Sequence, residues 1–73
     1  MNKEEFIARI TYNDLDLKID VIENMIKFGG SFVKALGDCA VKADGINFKK
    51  LVYAFEDYFW EYRPEKWEAK NEK

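Results

Sequence analysis

The sequence predicts an α+β fold, an N-terminal β-hairpin packed on two antiparallel helices with a short C-terminal extension, and three patterns predict it. Apolar residues alternate on both sides of Asn13-Asp14, a helical apolar stripe runs from Asp20 to Ala43, and an aromatic stripe runs from Phe48 to Tyr62. An all-α helical hairpin is the alternative. The chain has 73 residues, which holds one domain at most, since a core supplied by fewer than about 80 residues is marginal. Residues 1–64 are expected to form that compact domain and 65–73 a charged C-terminal tail.

The hairpin reading rests on alternation. Phe6, Ala8, Ile10 and Tyr12 point one way along a first strand, and Leu15, Leu17, Ile19 and Val21 point the same way along a second. Asn13-Asp14 between them suits a short hairpin loop. Pairing across it sets Tyr12 against Leu15, Ile10 against Leu17, Ala8 against Ile19 and Phe6 against Val21, with Ile7 the one apolar exception on the polar face. The competing pattern, Leu15, Ile19, Ile22, Ile26, Gly29, Val33, Leu36 and Ala40, describes a single long helix instead. Two features favour the hairpin: Asp20-Val-Ile-Glu23 has the form of a capping box that would start a helix there, and residues 15–19 are not strong helix formers.

From Asp20 onward the signal is helical. Gly29-Gly30 interrupts it, and two glycines inside a helix cost roughly 1–2 kcal/mol relative to alanine. A kink, a break with Ser31 capping the next helix, or close contact with a partner helix would each account for them. Asp44-Gly45 ends this segment, with Gly45 suited to a left-handed helix terminus. Asn47 can cap the last helix, on which Phe48, Leu51, Val52, Phe55, Phe59 and Tyr62 form one buried stripe, and Pro64 closes it.

Composition argues against catalysis. With 48% apolar and 36% charged residues the chain can fold and stay in solution, but it has no histidine and one cysteine. The commonest general base and metal ligand is therefore missing, and neither an intrachain disulfide nor a zinc site of Cys and His can form. The carboxylate pairs Glu4/Glu5, Asp14/Asp16 and Glu56/Asp57 read as solvated charge, because helical neighbours do not face one another. Cys39, near Leu36 and Ala40, reads as a buried, inert thiol. No catalytic residue, cofactor or metal site is expected. The net charge is −2, arranged as an acidic start, a basic middle and an acidic end. No apolar run reaches the roughly 20 residues of a membrane span, and the acidic start is unlike a signal peptide, so a cytoplasmic protein is expected.

The informative cluster is aromatic. Between Tyr53 and Tyr62 six of ten residues are aromatic. On a continuous helix Tyr53 and Trp60, seven apart, share a face turned away from the buried stripe, beside Lys49, Glu56 and Asp57. Tyrosine and tryptophan carry much of the energy of protein interfaces, so these five are the candidate partner-binding residues. That assignment predicts that Trp60→Ala leaves the fold intact and removes partner binding. A self-assembling homodimer is the second function class. A nucleic-acid or nucleotide binder is the third, disfavoured because Glu56, Asp57 and Glu61 would repel phosphate beside Lys49 and Lys50.

Residues 28–62 resemble small proteins encoded by bacteriophages and prophages. The shared pattern falls on Gly29, Gly30, Ser31, Phe32, Val33, Ala35 and Leu36, then Ala43, Asp44 and Asn47, then Leu51, Phe55, Tyr58 and Tyr62. It departs at Gly45 and Glu56, where such proteins often have proline. The resemblance implies a non-enzymatic protein that binds and inhibits a host protein in the infected bacterium, including defence nucleases such as CRISPR effectors.

Overall fold

A computed structural model describes residues 1–67, and among these there is no strand. Five helices follow one another: α1 Lys3–Tyr12, α2 Leu15–Phe28, α3 Ser31–Lys42, α4 Gly45–Ala54 and α5 Glu56–Glu61. The expected β-hairpin is therefore replaced by two helices. The helical-hairpin alternative has two long helices where the structure has five shorter ones. Residues 68–73 of the expected tail lie outside the described residues.

Capping explains why the first segment is helical. Asn2 accepts a hydrogen bond from the Glu5 backbone N–H at 2.8 Å and starts α1. Asp14 does the same for α2, accepting from the Leu17 N–H at 3.0 Å while its carboxylate also meets Arg9 at 2.6 Å. Asn13-Asp14 is thus a corner between helices, not a strand reversal. Both their N–H groups return to the Arg9 carbonyl, at 3.2 and 3.0 Å. The side chains actually buried on α1 are Phe6, Ile7, Ile10 and Thr11, a helical spacing, and Ala8 and Tyr12 face solvent. Ile7, the flaw in the strand pattern, belongs to the core. On α2 the buried residues include Leu17, Val21, Ile22 and Met25, and Asp20 and Glu23 lie within the helix instead of capping it.

Gly29-Gly30 breaks the chain between α2 and α3. Gly29 closes α2 with its N–H on the Met25 carbonyl at 3.0 Å, and Gly30 opens α3 with Ser31 as the first helical residue. Space explains Gly29: a Cβ there would sit 2.5 Å from both the Met25 carbonyl oxygen and Val33 Cγ1. The tight corner lets α3 run back along α2, and at Gly37 a Cβ would lie 3.0 Å from Ile26 Cγ1, so the two helices meet closely. At the next corner Asp44, not Asn47, caps α4, accepting from the Asn47 N–H at 2.8 Å. Gly45 is the first residue of α4 and does not adopt a left-handed conformation.

The last helix is divided. Phe55, at φ −130° and ψ 43°, leaves the helical region. Its N–H is shared between the carbonyls of Leu51 and Val52, and its own carbonyl accepts from Tyr58 and Phe59. It therefore ends α4 and starts α5. Phe48, Val52 and Phe59 still reach the core, which they complete with Phe6, Ile10 and Met25, while Leu51, Phe55 and Tyr62 pack partly buried around it.

Beyond α5 the chain turns and is held by side chains. Asn24, 2% exposed, donates through Nδ2 to the carbonyls of Tyr62 and Trp67, both at 2.9 Å. Trp67 stacks on Tyr62 at 5.4 Å, meets Phe28 at 4.8 Å and donates its indole N–H to the Glu61 carbonyl at 2.9 Å.

Candidate functional site

The break at Phe55 decides which of the candidate residues share a surface. A residue outside the helical region changes the phase of everything after it, so Tyr53 and Trp60 no longer lie on one face. Tyr53 stays half-exposed. Trp60 turns inward, edge-to-face with Phe6 at 5.3 Å, and the Arg63 guanidinium covers its ring at 3.9 Å. Arg63 Nη1 is held there by the Trp60 carbonyl at 2.9 Å. Trp60 is partly buried against the core and lines neither of two clefts that hold Tyr53.

What Tyr53 joins is a band of rings drawn from four helices. The Tyr53 phenol (α4) beside Tyr12 (α1) pushes the Tyr12 phenol pKa up. Lys49 Nζ lies 4.1 Å from the centroid of the Tyr12 ring, a cation–π contact that draws its charge toward the tyrosines. On the other side of Tyr53, a cleft of about 320 Å³ is lined by Tyr53, Phe55, Tyr58, Glu56, Asp57 and Lys3. Tyr58 then meets Phe32 (α3) at 5.3 Å, and Phe32 meets Phe55 at 5.8 Å. Relative exposures are 69% for Tyr12, 51% for Tyr53, 42% for Tyr58 and 52% for Phe32, so the whole band is open to solvent.

Charge at the cleft is mostly negative. Asp57, whose side chain is 90% exposed, pairs with the Lys3 ammonium. This hydrogen bond holds the Lys3 pKa above its ordinary value, with the Asp57 and Glu56 charges adding to it. Glu56 is half-buried and also lines an adjoining cleft with Glu4, Ile7 and Tyr53.

Of the five expected binding residues, the structure brings Tyr53, Glu56 and Asp57 to one cleft, places Lys49 beside Tyr12 and sets Trp60 partly buried against Phe6. Lys3, Tyr12, Phe32 and Tyr58 were missed as surface residues. Tyr12 was placed on the buried side of a strand, and Phe32 on a stripe that the break at Gly29-Gly30 interrupts. A helical reading of residues 3–12 would have exposed Tyr12.

A second apolar surface lies on α2 and α3. Ile19, Ile22, Ile26, Ala40 and Val41 form a groove of about 250 Å³, and Leu15 stands 65% exposed on the same helix. Cys39, expected to be buried, is exposed. Among the described residues no group of three or more His, Cys, Asp or Glu could hold a metal ion. No helix among the described residues is long and apolar enough to cross a membrane. Comparisons with protein-family models, curated proteins and solved structures find no match for this chain.

Proposed function

We propose that this chain is a non-enzymatic binding protein whose partner is another protein, engaged through the aromatic band Tyr12–Tyr53–Tyr58–Phe32. The supporting observation is that these four rings, between 42% and 69% exposed, come from four helices, with Tyr53 and Tyr58 lining one cleft and Tyr58 on Phe32. Contiguous apolar surface on a small soluble domain marks an interaction site, and tyrosines suit it because they bring large contact area at little entropic cost. Carboxylates beside the rings favour a protein over nucleic acid, whose phosphates they repel. In the finer reading, which follows from the resemblance to small phage proteins, the partner is a host protein and binding inhibits it, as for an inhibitor of a CRISPR effector.

The test is affinity capture from bacterial lysate with the wild-type chain and the Tyr53→Ala/Tyr58→Ala double variant. Wild-type protein is expected to enrich a specific partner that the variant loses, with circular dichroism and melting temperature nearly unchanged. Equal enrichment by both proteins would refute the assigned surface.

A second reading, self-association, is favoured by a different observation: Leu15, Val41 and Ile46 are each more than 60% exposed, and Val41 lines the α2–α3 groove. A mass that rises with concentration and levels off at a dimer supports it.

A further inference from the structure

We infer that the cleft between Tyr53 and Tyr58 takes an arginine side chain presented by the partner protein, an inference that rests on the binding reading above. The cleft is lined by the half-exposed Tyr53 and Tyr58 with Phe55, and by the carboxylate residues Glu56 and Asp57. A planar guanidinium suits this combination, because it stacks on aromatic faces and donates paired hydrogen bonds to a carboxylate. At about 320 Å³ the cleft lies at the small end of ligand-sized sites, large enough for one side chain and not for a folded element.

Charge complementarity selects a cation. The cleft and its neighbour are lined by Glu4, Glu56 and Asp57 against a single ammonium, that of Lys3. Lys3 already meets Asp57, so the cleft receives a cationic side chain from its own chain, and it does so in an exposed pair with Asp57 at 90% exposure. Exposed ion pairs are weak and exchange readily. Lys3 thus acts as an internal occupant that an incoming arginine displaces, since a lysine ammonium is a point charge and lacks the stacking plane.

The experiment uses the ¹⁵N-labelled full chain titrated with three capped tripeptides, Gly-Arg-Gly, Gly-Lys-Gly and Gly-citrulline-Gly, followed by amide chemical shifts. The arginine peptide is expected to shift the amides of residues 53–58 and to bind more tightly than the lysine peptide, while the uncharged citrulline peptide leaves them in place. Asp57→Asn is expected to weaken arginine binding ~5-fold and Lys3→Gln to strengthen it ~2-fold, magnitudes set by an exposed charge pair. Citrulline shifts equal to those of arginine, shifts confined to other residues, or no shift at millimolar arginine peptide would each overturn the inference. If the Tyr53→Ala/Tyr58→Ala variant loses its lysate partner but the arginine peptide does not bind, the binding surface stands and only the arginine assignment falls. If that variant keeps its partner, the surface itself is wrong.

Discussion

The molecule places its aromatic residues in two regions with opposite fates. Along the α5 and C-terminal side, Phe28, Trp60, Tyr62 and Trp67 pack against one another or against Phe6, and the Trp67 indole N–H is hydrogen-bonded to a carbonyl. Along the other side, Tyr12 lies beside Tyr53, Tyr53 lines one cleft with Tyr58, and Tyr58 meets Phe32, yet all four stay open to solvent. Ring chemistry is the same in both. What differs is the covering: the buried side has Arg63 over one ring and the segment to Trp67 drawn in by Asn24, and no described element lies across the band. An aromatic residue therefore becomes structural or available according to whether a later segment returns over it.

The sharpest way to break this contrast is Trp60→Ala. The surface assignment drawn from the sequence expects an intact fold, whereas a ring held between Phe6 and Arg63 predicts a loss of about 2–4 kcal/mol, toward the lower part of the range for aromatic truncations because the ring is only partly buried. Urea unfolding monitored by far-UV circular dichroism measures it, and an unchanged midpoint would move Trp60 back to the binding surface. Next in size is Asn24→Ala, which leaves the Tyr62 and Trp67 carbonyls without their amide donor. A buried group left unpaired costs about 1–3 kcal/mol. The same variant should shift tryptophan emission to the red as Trp67 is released, while Tyr53 and Tyr58 keep their exposure.

The smallest effect is a pH dependence located at the corner between α1 and α2, two residues beyond Tyr12 at one end of the aromatic band. The Leu17 N–H and then Arg9 hold the Asp14 carboxyl below the usual carboxylate range. A depressed folded-state pKa contributes stability that is full above the ordinary aspartate value and is lost as pH falls through the folded value. Melting temperature is therefore expected to drop below pH ~4, and Asp14→Asn should flatten that acid limb. An unaltered acid limb would mean that Asp14 does not couple folding to protons.

Part of this architecture was legible in the sequence. The apolar stripe of α2 and α3, the turn at Asp44 and the inward direction of Phe48, Val52 and Phe59 all follow from helical periodicity. The first twenty residues misled because Phe6, Ala8, Ile10 and Tyr12 alternate well, and an alternating pattern is satisfied by a strand even where capping groups make a helix. Asn2 and Asp14 were the deciding signals, each a short polar side chain three residues before a backbone N–H that needs an acceptor. The candidate site was half legible: Tyr53, Glu56 and Asp57 came from composition and spacing. Lys3, Tyr12 and Phe32 come from distant parts of the chain, and no local pattern announces that tertiary contact will gather them.

The interruption at Phe55 also sets the span of the proposed grip. On an unbroken helix, positions 53 and 58 would point about 140° apart, since five residues advance by well over a full turn. With Phe55 out of the helical region, both residues line a single cleft. The backbone angles at Phe55 lie between the two positions, so a change there would alter what fits the cleft without touching either ring.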